Sequence, residues 1–361
     1  MAHKTRPSTF ISSYFPETKL NFWSRDVDIL WASDIHFMSK LSSKSRIPFK
    51  KLRDMSLQSY SGYLAESIHT NTRNKLIVPI KNRGRINMMK GIRFCPICLK
   101  TDEQPYFRKI WRLSFITACQ KHKCFLEDSC QSCQLPITLY NIKEESAFCL
   151  CTSCHKYLWE SKPTFIKKNS YGLYAQNKLL TTLNSGTFIF EGCTYYSLAF
   201  FPVLNQFTKL IYNSDLHSNT LSHEVMAQDI PLPRFDNKPS LYIEDITVKE
   251  QYLIYSISVY ILQGAKDIKK FCKNNHLGKG LLAHSMRYIP YWFDSILFQN
   301  DISSYSISIK EVESIIKYFK KNNFPISFQS LSNITNSTLD SRKRQDIKIL
   351  IYYEVERNTQ I

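Results

Sequence analysis

Glycine is scarce in this chain, with 9 residues in 361. Phosphate-cradling loops and the strained turns that expose a nucleophile both rely on glycine, where the backbone must bend sharply or approach a ligand closely. The segment Leu277-Gly-Lys-Gly280 lacks both the spacing of a phosphate loop and the Ser or Thr that would hold magnesium, and no Gly-x-Ser-x-Gly elbow occurs. Long apolar runs are also missing. None approaches the roughly 18–20 residues needed to span a bilayer, and Tyr252 to Leu262 is interrupted by Ser256 and Ser258. The first ten residues, MAHKTRPSTF, show no apolar signal core, so secretion is not expected. Acidic side chains are few, 30 against 48 Lys and Arg, which leaves a net charge of +18. His69 is followed by Thr70 and Asn71, so the His-x-Glu element that a zinc deaminase needs is absent. Asp26, Asp28 and Asp34 have no spacing that requires a nuclease site. The chain is expected not to be an enzyme, and to be cytoplasmic.

Cysteine is present in quantity: eleven residues, most of them in pairs. Cys95-Pro-Ile-Cys98 is followed by Cys119-Gln-Lys-His122, and Cys130-Gln-Ser-Cys133 by Cys151-Thr-Ser-Cys154. A two-residue gap turns both donors of a knuckle toward one ion, and a gap of about 15–20 residues returns the chain to complete a tetrahedral shell. Disulfides are a poor reading of such spacing in a chain with no secretion signal. Both quartets are complete, so two structural Zn2+ ions are predicted, without the open position that catalytic zinc keeps. The ligand set is Cys95, Cys98, Cys119, His122, Cys130, Cys133, Cys151 and Cys154. Cys124 and Cys149 stand close enough to replace His122 and Cys151, and His155 adjoins Cys154. Sequential pairing of the knuckles is preferred, with a cross-braced arrangement as the alternative. Cys193 and Cys272 are isolated and are expected to pack as small hydrophobes.

A polyanionic partner is the usual reason for so large a basic excess. From Lys40 to Lys100 the chain carries fourteen Lys or Arg against Asp54 and Glu66. Arg108, Lys109 and Arg112 alternate with aromatics between Tyr106 and Phe115, a composition that can stack bases and touch phosphates. The competing reading has Tyr106, Phe107 and Trp111 filling the interior of the zinc module while the cations face outward. Arg342, Lys343 and Arg344 are candidate phosphate contacts near the start of a C-terminal helix.

The expected fold is mainly α. Residues 1–92 read as a basic helical N-terminal region, with one apolar pattern from Val27 to Leu30 and another in Leu52, Met55, Leu57 and Tyr60. Residues 93–160 form a double zinc-finger module, and 161–213 a helical connector with helices over Leu173–Leu183 and Tyr195–Ile211. Residues 214–245 are a linker. The C-terminal domain, 246–361, opens with a helix ending at Gly264, followed by Asp267–Lys273 and a segment around Tyr291–Phe298. Ser308 and Glu311 have capping-box spacing ahead of an apolar face of Val312, Ile315, Ile316 and Phe319. A break at Asn322–Pro325 and a short helix over Ser327–Ile334 complete a candidate helix-turn-helix, and Thr338–Glu356 a third helix.

The run Phe94-Cys-Pro-Ile-Cys-Leu99, Asp102, Pro105-Tyr-Phe-Arg108, Trp111-Arg-Leu113, Cys119, His122, Leu126, Cys130 and Cys133 resembles the TniQ/TnsD family of transposon target-selection proteins. Arg25-Asp-Val-Asp28 and Met55–Gly62 are similar to that family's stretch before its zinc fingers. Relative to the family, the N-terminal region reads as abbreviated. The resemblance implies a non-catalytic adaptor of a Tn7-like transposon that recognises target DNA or a DNA-bound CRISPR effector complex and recruits a TnsC-like AAA+ ATPase. A homodimer is a further implied assembly, and no membrane partner is expected. The alternative is a zinc-containing transcriptional regulator that binds DNA through the C-terminal helix-turn-helix.

Overall fold

A computed structural model describes residues 7–17, 31–70, 72–80, 91–138, 149–213, 242–277, 281–282, 286, 288–297, 309–335 and 344–359. The fold is mainly helical, with a single two-stranded sheet among the described residues. The helices are α1 (Pro7–Tyr14), α2 (Ile35–Ser45), α3 (Phe49–Met55), α4 (Pro96–Thr101), α5 (Tyr171–Ser185), α6 (Ser197–Asn213), α7 (Val248–Ile261), α8 (Ala265–Asn274), α9 (Tyr291–Leu297), α10 (Ile309–Lys321), α11 (Phe328–Thr335) and α12 (Arg344–Thr359). The chain divides into two compact units, and the division falls inside α5 and α7.

The first unit comprises residues 1–59, 68–176 and 233–253. Asp34 caps α2, its carboxylate accepting from the amides of His36 and Phe37 at 3.0 Å each, which satisfies two orphan donors of the first turn. The helix buries Phe37 and Met38, with Phe15 and Trp31 against the Phe37 ring. Arg46 ends it in the left-handed region at φ 57°, and Pro48 leads into α3, which is anchored by buried Leu52. Leu57 is buried, whereas Met55 from the same expected apolar set is exposed. The Val27–Leu30 pattern lies outside the described residues.

The segment entering α7 packs onto this unit. Arg73 grips Asp245 with two bonds of 2.7 and 3.1 Å and lies 4.0 Å above the Tyr242 ring, while Glu244 accepts the Leu76 amide at 2.8 Å. Arg93, 1% exposed, donates to the carbonyls of Ser114 and Ile116 and to the Gln251 side chain. These bonds engage both terminal nitrogens of a guanidinium that would otherwise be costly to bury. The expected linker thus yields, by Tyr242, to chain that is built into the first unit.

The second unit comprises residues 60–67, 177–232 and 254–361. Its sheet is a hairpin of β1 (Thr187–Phe190) and β2 (Cys193–Tyr196), whose last two residues take the start of the helix expected over Tyr195–Ile211; that helix is α6, which begins at Ser197. Glu191 and Gly192 both have positive φ, 46° and 80°, the two-residue turn whose twist matches paired strands. Phe188, Phe190, Tyr195, Phe200 and Trp292 gather as an aromatic core, and the Trp292 indole N–H donates to the Ala199 carbonyl at 3.0 Å. Aromatic Cβ-rich strands outweigh local helical periodicity when such a cluster is available.

The C-terminal helices follow the expected pattern closely. Val312, Ile315, Ile316 and Phe319 are buried along α10. Asn323 ends that helix with φ 55°, and the Phe324 amide donates to the Phe319 carbonyl at 2.9 Å, a left-handed closure ahead of Pro325. Ser327 then caps α11, its hydroxyl accepting the Ser330 amide at 3.0 Å. The capping-box partner of Glu311, Ser308, lies outside the described residues, and the Glu311 side chain also has a partner across the fold. It is buried and accepts the Tyr196 hydroxyl at 2.6 Å, because β2 packs where the first turn of α10 would otherwise face water. Ser308 and residues 338–343 lie outside the described residues, and the third helix runs from Arg344.

Candidate metal centres and their surroundings

Four knuckles position the donors, and three share one backbone form. In each, the first ligand's carbonyl accepts from the amide four residues on: Lys123 to Cys119 at 2.9 Å, Gln134 to Cys130 at 2.8 Å and His155 to Cys151 at 3.1 Å. Those three residues all adopt left-handed φ, 52°, 59° and 58°. The first ligand's amide then donates to the carbonyl five residues on, at 2.8–2.9 Å. The fourth knuckle differs. Cys95 caps α4, its sulfur accepting the Cys98 amide at 3.4 Å, with Pro96 at the first helical position. Proline there costs no hydrogen bond, so the knuckle runs directly into helix.

The structure brings Cys95, Cys98, Cys119 and His122 into one group and Cys130, Cys133, Cys151 and Cys154 into another, with all donor atoms of each within 4.8 Å of one another. The pairing is sequential, and the cross-braced alternative is set aside. Facing sulfurs stand 3.5 Å apart for Cys98 and Cys119, 3.7 Å for Cys130 and Cys154, and 3.6 Å for Cys133 and Cys151. His122 presents Nδ1, 3.3 Å from the Cys98 sulfur and 3.5 Å from that of Cys95. A tetrahedral zinc ion with Zn–S near 2.3 Å separates its sulfurs by about 3.8 Å and a sulfur from a nitrogen by about 3.6 Å. The donor sets therefore fit zinc in both chemistry and size.

Electrostatics point the same way. Burial, then the Cys119 charge, push the Cys98 thiol up to about 11, and burial pushes Cys133 up to about 12. Close-packed thiols without a cation hold their protons, so a metal must supply the charge that makes them thiolates. Burial, with Lys121 nearby, holds His122 below its ordinary value, leaving a neutral imidazole. The Lys156 amide draws Cys154 down to about 7.

Cys124 and Cys149 are buried and fall outside both groups, although the Cys124 sulfur lies 3.7 Å from that of Cys95. His155 is exposed in its left-handed turn. Cys272 is buried, but Cys193 is exposed at the start of β2, which corrects the expectation that it packs as a small hydrophobe.

The cations between Tyr106 and Phe115 turn inward. Arg108 pairs with Asp102 at 2.6 Å and lies over the Tyr106 and Trp111 rings, 4.8 and 4.9 Å from their centroids. Lys109 donates to the Asp54 carbonyl at 2.5 Å and to the Ser59 hydroxyl at 2.6 Å. Arg112 is 3% exposed and bonds the Val78 carbonyl through Nε and a terminal nitrogen, at 3.2 and 2.9 Å. The expectation of an outward contact is corrected for Arg112, whose guanidinium closes the 76–78 segment onto the turn before Leu113. Trp111 is buried beside it and Phe107 is half-buried, whereas Tyr106 is exposed, so of the three aromatics only Trp111 lies fully in the module's interior. Arg342 and Lys343 lie outside the described residues, and Arg344 is described only as the first backbone residue of α12. Arg73, Gln251 and Glu244 escaped the sequence reading, because their partners stand far along the chain.

The family model for TniQ matches residues 1–126. This stretch is similar to a TniQ domain. It ends four residues past His122, so it contains the first donor quartet whole and stops short of Cys130. Searches of curated proteins and of solved structures returned no match. The TniQ domain supports a role in target selection for Tn7-like transposition and in DNA binding. No helix among the described residues is long and apolar enough to cross a membrane.

Proposed function

We propose that this chain is a non-catalytic target-selection adaptor of a Tn7-like transposon, built around two structural zinc ions. The observation that carries the reading is the TniQ domain enclosing a complete Cys95–Cys98–Cys119–His122 quartet. Zinc, when bound, supplies a cross-link and a positive charge that a short irregular segment cannot obtain from hydrophobic burial alone. The eight donors are all spent in closed sets, which leaves no residue of either quartet to activate water.

The adaptor would engage target DNA, directly or through a DNA-bound CRISPR effector complex, and recruit a TnsC-like AAA+ ATPase, working in the cytoplasm at the nucleoid and with self-association into a dimer as one mode of assembly. The charge of +18 favours DNA. A helix-turn-helix of α10 and α11 in the second unit favours direct reading as its mode, with exposed Gln329 and Asn333 on α11. Arg342, Lys343 and Arg344 would then support it through backbone phosphates.

The test is reconstitution. Zinc-loaded full-length protein is mixed with the element's ATPase on random duplexes and on the insertion flank across a salt series, and transposition is scored with and without the chain. ATPase recruitment and a preference for the flank support direct selection. Transposition that proceeds unchanged without the chain, with no ATPase association, overturns the proposal.

A further inference from the structure

We infer that the corner formed by the C-terminal turn of α2 and by α3 is a docking surface for the phosphate backbone of duplex DNA. Lys44, Arg46, Lys50, Lys51 and Arg53 occupy ten consecutive positions with no acidic residue among them, and all five are exposed. Neighbouring cations are used elsewhere: Lys40 pairs with Glu17 at 3.0 Å, and Lys44 reaches toward the Tyr14 ring. Arg46, Lys50, Lys51 and Arg53 form no ion pair among the described residues. Like charges held this close repel one another, and a polyanion relieves that repulsion.

The corner is held firmly. Phe37 and Met38 anchor α2, Leu52 anchors α3, and the Ser42 hydroxyl donates to the Ile47 carbonyl at 2.7 Å across the turn. Lys109 closes the far end, donating to the carbonyl of Asp54 and to Ser59. A residue that composition suggested as a nucleic-acid contact thus fixes the helix that carries the exposed cations. Pre-set cations lose little freedom on binding. Duplex DNA presents one negative charge per about 1.7 Å of axis, and α3 is about 10 Å long, so several phosphates fall within its reach. Uniform negative charge matches a surface on which five exposed cations stand against a single exposed acid, Asp54 at the end of α3.

The inference rests on the proposal that this chain works on DNA. The test uses full-length zinc-loaded protein carrying Lys50→Gln, Lys51→Gln and Arg53→Gln, with a random 30-base-pair duplex as probe. A charge-matched control carries Lys266→Gln, Lys269→Gln and Lys273→Gln, three exposed residues of α8. Each lost phosphate contact lowers the log–log salt slope by about 0.9, so three lower it by about 2.7 and weaken binding on the order of 100-fold at 0.15 M salt. Zinc content and melting should not change, because the substituted side chains are exposed. A wild type that binds no duplex sinks the DNA reading itself, and this surface with it. A wild type that binds, with a corner variant of unchanged slope and affinity, overturns the surface assignment alone. Equal losses in corner and control variants also overturn it, by showing that the charge acts diffusely. Retained DNA binding with lost ATPase recruitment would reassign the corner to a protein partner.

Discussion

Gly91→Ala isolates the joint between the two donor quartets. The Ile92 amide donates to the Ile137 carbonyl at 2.9 Å, and further along the same strand Phe94 exchanges two bonds of 2.9 Å with Glu127 before the chain reaches Cys95. A Cβ at position 91 would lie 2.3 Å from the Ile137 nitrogen and 2.7 Å from its carbonyl oxygen, both backbone atoms that cannot swing aside. Ordinary contact begins at 3.4 Å, so the two segments must part by about 1 Å. That stretches the Ile92–Ile137 bond to about 4 Å, beyond hydrogen-bonding range. Ile92 is 5% exposed and Ile137 1%, so the freed groups do not regain water. An unsatisfied buried pair costs about 1–3 kcal/mol, and the disturbed packing about 1–2 more. For a unit of this size the melting temperature should fall by roughly 5–15 °C. Gly192→Ala is the control. Its Cβ meets nothing within 4 Å, and its φ of +80° should cost about 1–2 kcal/mol from torsion alone. Thermal melts by circular dichroism, with zinc content measured alongside, decide the matter. A Gly91→Ala protein that melts within about 2 °C of wild type and retains both ions would refute the steric argument.

The sequential pairing has a spectroscopic signature. With cobalt in place of zinc, Cys95→Ser should erase the three-sulfur, one-nitrogen spectrum and leave the four-sulfur one, and Cys130→Ser should do the reverse; the opposite pattern would restore the cross-braced arrangement. Zinc affinity should also fall as pH falls. The metal must displace protons from thiols such as Cys98 at about 11 and Cys133 at about 12, whereas burial holds His122 below its ordinary value and so eases its use as a neutral ligand. For the first quartet, three displaced thiol protons amount to about a thousandfold in affinity per pH unit between pH 7 and 8, and the second quartet should steepen below about pH 7, where Cys154 also takes up a proton. Chelator competition across pH 6–8 measures this, and a flat profile would rule out the thiolate set.

The donor knuckles could be read from spacing because their geometry is local. In three of the four a ligand, two residues and a second ligand close over one left-handed turn, in the fourth Cys95 caps its own helix, and nothing distant is needed to form either. The helices of the second unit were legible for a related reason: Val312, Ile315, Ile316 and Phe319 repeat at the period of one helix face, and Asn323 and Pro325 end it. The hairpin was not legible, because Tyr195 and Tyr196 fit a helical stripe as well as a strand. Only the aromatic cluster around Trp292 selects between them.

By itself the sequence determined eight candidate metal donors, the helical class and the similarity to a TniQ domain, since each is written in short-range spacing. Tertiary structure alone decided which quartets close, that Arg112 is interior while Arg46, Lys50, Lys51 and Arg53 form no ion pair among the described residues, and that Asp245 answers Arg73 from 172 positions away. Whether a cation faces water or a carbonyl depends on chain segments far off in sequence, and spacing carries no record of where those segments return.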